Sequence, residues 1–266
     1  MSPVKGSAYR PQTPGPKSRF KVAFQYGGAS AIGRSHLDRG KACEDAYHIV
    51  EEDGGIVACV CDGAGSASRS AEGAASLALN VSMALRSEIG QLHQASAVLA
   101  LQDAIEDTRR QLQRKGPLFD FHSTLCGIAL SKDQCLVFHL GDGVVMGVNP
   151  DDWSDFVVSE PENGEFAETT YFFTLPEWRK SLRVFCAPRK YRTWFLMSDG
   201  TASFAVKTLP WRPTSNFLVP IHRYLSDLQD IEARNQAILS TLQSPQADRI
   251  TADDKTLVWV NAQYQF

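Results

Sequence analysis

The chain has no excess of basic residues: 27 lysines and arginines face 30 aspartates and glutamates, a net charge of −3 over 266 residues. Nucleic-acid binding normally demands a basic face, so nucleic acid is excluded as the main partner. Long apolar runs are absent as well. No stretch approaches the about 20 residues that span a bilayer, and the N-terminus lacks the apolar centre of a signal peptide. The sequence therefore predicts a cytoplasmic protein with no membrane partner. The cysteines Cys43, Cys59, Cys61, Cys126, Cys135 and Cys186 lack the spacing of a zinc site, and most lie in apolar runs, as reduced packing residues do. The stretch "GGIVACVCDGAGSASRSAEGAASLALNV" (54–81) invites comparison with a nucleotide-binding turn. Ser68, however, stands where the third glycine of that fingerprint belongs, and no second strand ends in an acid about 20 positions on. No Gly-Lys-Ser/Thr follows, which excludes a P-loop.

What is present is strongly patterned. Residues 1–19 carry four prolines, four basic residues and no acids, the composition of a disordered tail. Residues 20–266 show no further linker or internal repeat and are expected to form one domain. Strands are predicted at 20–26, 46–50, 55–61, "STLCGIALS", "QCLVFHLGD", "VVMGVNP", "LRVFCA", "YRTWFLMSD" and "KTLVWVNA". Helices are predicted near 68–89 and 94–114, the second with Val98, Leu101, Ile105, Thr108 and Leu112 on one face, and helical structure between 216 and 243. Hairpin-linked strands with helices in separate groups imply an α+β fold, antiparallel sheets with helices layered outside them.

Three apolar runs end alike, in Asp62-Gly63, Asp142-Gly143 and Asp199-Gly200. Two acidic pairs, Glu44-Asp45 and Asp253-Asp254, immediately precede strands. One Asp-Gly after a strand is an ordinary turn. Five acidic strand ends are harder to explain that way, because neighbouring carboxylates repel and resist desolvation unless cations share them. Oxygen-only ligands select a hard cation such as Mg²⁺ or Mn²⁺, and glycine after the aspartate lets a backbone carbonyl approach it. Two such ions about 4 Å apart suit hydrolysis of a phosphoester.

The ordered series "CEDA", "VCDGAGS", "HSTLCGIAL", "HLGDG", "LMSDG" and "DDKTLVWV" resembles the protein phosphatase 2C family of metal-dependent Ser/Thr phosphatases. The wording "SHLDRGKACEDA", "DGAGSASRSAEGA" and "GEFAETT" is similar to a bacterial subgroup. The resemblance implies a four-layer α/β/β/α sandwich and hydrolysis of phosphoserine or phosphothreonine by water activated between two Mn²⁺ or Mg²⁺ ions. By position, it implies that Asp45, Asp62, Asp199 and Asp253 are the catalytic metal ligands, joined by the Gly63 carbonyl. Asp142 would serve a third, weaker metal, with Glu44 and Asp254 behind the ligands. The implied partners are a phosphoprotein substrate and a cognate Ser/Thr kinase.

The resemblance fails at two positions. Gly40 stands where better-known members carry a phosphate-gripping arginine, and Ala64 where many carry a histidine after Asp-Gly. Arg39 and His36 are the candidates for the phosphate role, although both also read as plain loop residues. His139 reads as a hydrogen-bonded core histidine. "SEPENGEFAETT" falls where the resembled family places a variable flap beside the site, and as a long irregular segment it is a candidate binding loop. The alternative to an active phosphatase is a regulatory pseudophosphatase that binds a phosphorylated partner without efficient turnover.

Overall fold

Apolar runs without alternation become strands covered on both faces. In the computed structural model, which describes residues 21–52, 54–161, 170–208 and 210–265, every residue of β3 (Gly55–Cys61), β4 (Leu125–Ser131) and β5 (Cys135–Leu140) is buried. These three strands form the centre of a five-stranded sheet, flanked by β2 (Ala46–Glu52) on one edge and β8 (Arg183–Cys186) on the other. A second five-stranded sheet runs in the order β1 (Lys21–Ala31), β12 (Lys255–Gln265), β9 (Thr193–Met197), β6 (Val144–Asn149), β7 (Asp152–Ser159). All neighbouring strands in both sheets are antiparallel.

The period of two along each strand distributes side chains between cores. From β3, Ile56, Ala58 and Val60 meet Trp194, Leu196, Val258 and Val260 of the facing sheet. Val57, Cys59 and Cys61 point the other way, onto α2 (Ser70–Arg86) and α3 (Ala95–Gln113) through Leu77, Val81, Leu101 and Ile105. The second sheet does the same with Met146, Phe195 and Trp259. These pack on α5 (Asp199–Ala205), α6 (Ser215–Asp227) and α7 (Ile231–Leu242). The result is the expected four-layer sandwich. Short helices α1 (Arg34–Leu37), α4 (Trp178–Ser181) and α8 (Pro245–Ile250), 3-10 turns at Ile89–Gln91 and Leu118–Phe121, and a small hairpin of β10 (Val206–Lys207) with β11 (Arg212–Pro213) complete the regular structure of the described residues. None of the described helices is long and apolar enough to cross a membrane.

Several expected boundaries move. Strand β1 runs past residue 26 to Ala31, which pairs with Lys255. Its glycines mark close approach instead of a strand end: a Cβ on Gly27 would stand 2.9 Å from Arg234 Cβ, and one on Gly28 2.7 Å from the Tyr47 ring. Strand β7 lies in a stretch for which no strand is predicted; it is an edge strand whose Asp152 and Ser154 face solvent, which hides its pattern. The helical region 216–243 is two helices, divided where Asp230 caps α7 by accepting from the Ala233 amide. The expected tail, residues 1–19, lies outside the described residues.

Arg234 ties the α6–α7 corner to β1. It is buried, and its guanidinium donates to the carbonyls of Leu225, Leu228, Gln229 and Tyr26. Arg234→Ala leaves those buried acceptors without donors, so urea unfolding should show a loss of about 3 kcal/mol. A loss below about 1 kcal/mol would mean that water replaces the guanidinium there.

Candidate active site

Antiparallel register brings the strand ends together. Ala46 pairs with Cys61, so the start of β2 meets the end of β3. Leu125 pairs with Leu140, and Met197 pairs with both Leu257 and Val144. The starts of β2, β4, β6 and β12 and the ends of β3, β5 and β9 therefore share one rim. The residues just beyond them are Glu44-Asp45, Asp62-Gly63, Asp142, Asp199 and Asp253-Asp254.

The carboxyl groups there perturb one another. Asp45 is buried, and that burial raises its pKa to about 7, with Asp254 and Asp199 adding to the effect. Hydroxyl donors oppose the shift: Thr256 Oγ1 donates to Asp45 Oδ2 at 2.8 Å, and Ser198 also bonds this carboxylate. Asp62 is pushed well above the usual carboxylate range, first by burial and then by Asp45, Asp199 and Asp142. Asp62 and Asp199 lie close enough for one proton to be shared between their carboxyl groups, which raises Asp62 and lowers Asp199. Asp199 opens α5; it keeps a solvent-facing edge, yet the crowding protein lifts its pKa to about 6, helped by Asp142 and Asp253. Asp142 is raised by burial and by Asp253, against a 2.7 Å bond from Thr170 Oγ1. Asp253 is exposed and accepts from the Asp254 amide at 2.9 Å.

This oxygen-only donor set, crowded with negative charge, fits a hard divalent cation. Among the described residues, no three His, Cys, Asp or Glu side chains form a ready-made ion cage. At Gly63 a Cβ would stand 2.4 Å from the Glu44 carbonyl oxygen, so only glycine lets the ends of β2 and β3 close up.

Asp254 faces away from this group. Its Oδ1 accepts from the Gly33 amide at 2.6 Å, and its Oδ2 accepts from the Glu44 amide at 2.6 Å and meets His36 Nδ1 at 2.9 Å. His36 Nε2 lies 3.4 Å from Glu44 Oε2, and Lys41 Nζ donates to Glu44 Oε1 and to the Gly65 carbonyl, each at 3.0 Å. His36 is thus buried with both ring nitrogens facing carboxylates. It braces the loop and, contrary to its expected candidacy for phosphate binding, is closed off from phosphate. Arg39 is exposed in the turn after α1. Gly40 has φ +67° with open space around its Cβ position, so a larger residue is disfavoured there by backbone strain, not by crowding.

His139 is fully buried and meets Ser159 Oγ at 2.8 Å and Arg183 Nη2 at 2.9 Å, a core position. Most of the expected flap, 162–169, lies outside the described residues. Sequence reasoning missed Lys41, Ser198, Thr256 and Thr170. Ser198 and Thr256 sit inside the quoted motifs, but where a hydroxyl points depends on strand pairing.

Comparison with known proteins agrees with this geometry. The family model described as Protein phosphatase 2C matches residues 32–243. Serine/threonine-protein phosphatase 3 of Escherichia coli (strain K12) is 28% identical over 247 residues, covering 86% of this chain and 94% of that protein. A bacterial serine phosphatase structure superposes with a TM-score of 0.63 at 16% identity, covering 90% of this chain and 98% of its own. RsbX in complex with magnesium gives a TM-score of 0.54 at 13% identity, covering 92% and 100%. At such identities the two structures speak for the fold alone.

The raised carboxyls make a stability prediction. A group whose pKa is higher folded than unfolded stabilises the fold below its unfolded pKa, and that contribution is lost as pH rises through the folded value. For Asp45 the window runs from about 4 to about 7. The melting temperature of chelator-treated protein should therefore fall between pH 5 and pH 7, and Asp45→Asn should flatten that fall. An unchanged slope in the variant would show that Asp45 is not the titrating group.

Proposed function

Because the chain belongs to the Protein phosphatase 2C family, we propose that it hydrolyses phosphoserine and phosphothreonine in proteins, with Mn²⁺ or Mg²⁺ as cofactor. One observation carries the reading: the acidic ends of strands from both sheets meet at one rim and raise one another's pKa. In this proposal Asp45, Asp62, Asp199 and Asp253 hold two divalent ions together with the Gly63 carbonyl, and Asp142 serves a weaker third. When bound, the ions polarise the phosphoryl group and lower the pKa of water.

The remaining residues position that set. Thr256 and Ser198 aim the Asp45 carboxylate. Asp254, held by Gly33, Glu44 and His36, fixes the backbone that delivers Asp45. Glu44 is neutralised by Lys41, which also grips the Gly65 carbonyl beside Asp62-Gly63-Ala64. Arg39 is the exposed cation of this loop and takes the phosphate-binding role. The natural partner is a phosphoprotein made by a Ser/Thr kinase. The intact acidic set favours turnover over a pseudophosphatase, since binding alone would not require so many repelling carboxylates.

Hydrolysis of a phosphothreonine peptide should require Mn²⁺ or Mg²⁺ and disappear with chelator; full turnover by metal-stripped protein would overturn the metal reading. Asp199→Asn should lower turnover at least about a hundredfold, the scale of losing a central electrostatic element. Near-normal turnover in that variant would mean that the ligand set is misassigned. Arg39→Ala should raise KM for the peptide with little change in kcat, because a lost charge-assisted contact weakens ground-state binding. Steady-state kinetics would refute the Arg39 role if KM stayed at the wild-type value.

A further inference from the structure

The serine or threonine oxygen that leaves a phosphomonoester is a strong base, so its departure needs a proton donor. The carboxylates at the rim are committed to one another and to hydroxyl donors. Of the six histidines, His36 is clamped between Asp254 and Glu44, and His139 is sealed in the interior. His48 bonds Ser82 on α2, His93 bonds Gln134, and His222 packs between Trp153 and Trp259 on the far sheet. His122 remains, and it is placed differently.

The β3–β4 ladder continues past the end of β3. Gly63 pairs with Ser123 in the same register as Val60 with Cys126. The Thr124 amide donates to the Asp62 carbonyl at 2.9 Å, and the Ala64 amide to the His122 carbonyl at 3.0 Å. Position 122 is thus directly opposite Ala64. Alternation puts its side chain on the face that carries Asp62, because Val60 and Cys126 of the same set face the core between the sheets. Asp62 is opposite Thr124 in this register, so His122 is the diagonal neighbour of Asp62 on the same face, a separation of about 7–8 Å. Ala64 is small and leaves the space over this diagonal to the imidazole.

The ring is also held. Nδ1 meets Thr174 Oγ1 at 2.5 Å, and the ring stacks on Phe172 with centroids 4.8 Å apart and planes 13° from parallel. Thr174 is buried, and the segment bearing Phe172 and Thr174 follows Thr170, the donor to Asp142. With Nδ1 engaged, Nε2 is the nitrogen left for chemistry.

We infer that His122 is the proton donor to the leaving serine or threonine oxygen; this rests on the phosphatase reading above. Water adds its oxygen to phosphorus as the ester P–O bond breaks. The bonding pair goes to the departing oxygen, which takes the proton from Nε2; the imidazole then regains a proton from solvent. Partial burial lowers the pKa of His122 in the free protein. A phosphate dianion arriving beside it acts the opposite way and favours the charged donor.

The test compares two esters. A phosphothreonine peptide needs a protonated leaving group, whereas p-nitrophenyl phosphate releases a stable phenolate. His122→Ala should lower kcat on the peptide about a hundredfold or more and on p-nitrophenyl phosphate by less than about threefold. Its calorimetric Mn²⁺ affinity should match the wild type, and its thermal transition should stay cooperative and above the assay temperature. Thr174→Val, which keeps the volume and removes the orienting hydroxyl, should show a smaller loss confined to the peptide. Equal losses on both esters, or none on either, would overturn the assignment. A wild-type chain inert toward both esters with Mn²⁺ present would instead overturn the phosphatase reading itself.

Discussion

Like-charge repulsion at one rim of the sandwich is the constraint that the rest of the structure answers. The carboxyl groups of Asp45, Asp62, Asp142 and Asp199 are all driven above their ordinary range by burial and by neighbouring aspartates, Asp253 and Asp254 among them. Such a group has no intrinsic tendency to assemble. What holds it is hydrophobic burial elsewhere: a core between the sheets and one under each helical layer. The strands are anchored by their apolar centres, and the acids arrive at the rim because they are the next residues in each chain.

The rim is also held by backbone contact. A Cβ on Gly33 would stand 2.2 Å from the Asp253 carbonyl carbon, and one on Gly200 2.0 Å from the Asp254 carbonyl oxygen. The loop before α1, the start of α5 and the approach to β12 therefore touch main chain to main chain. Asp254 sits at this junction and accepts from two amides as well as contacting His36. Both of its carboxylate oxygens are taken by groups of the surrounding loops. The difference between two adjacent aspartates is thus one of surroundings: Asp253 is exposed toward Asp199 and Asp142, whereas Asp254 is turned inward.

The loop of α1 shows how a family pattern changes without disturbing the rim. Gly40 adopts a left-handed conformation that disfavours the arginine of better-known members, while Lys41 reaches back to Glu44 and Gly65. Lys41 therefore holds two loops together, and the exposed Arg39 is the loop cation proposed above for phosphate.

Much of the fold was legible in the sequence, because the unbroken apolar runs of β3, β4, β5 and β9 and the amphipathic face of α3 are local signals. The convergence of Asp62, Asp142 and Asp199 was legible for the same reason: each is joined to such a run and followed by glycine. Strand β7 was hidden by its solvent-facing edge, and α5 because it begins at Asp199 itself, within a turn signal. The bracing role of His36, the hydroxyls of Ser198 and Thr256 on Asp45, and the place of His122 opposite Ala64 had no local signature. Each depends on which residues stand together across segments up to 218 positions apart in the chain. The sequence by itself determined which apolar runs become the central strands and which acids flank them. Only tertiary structure decided which side chains meet there, since register and hydrogen-bond direction come from packing the two sheets as a whole.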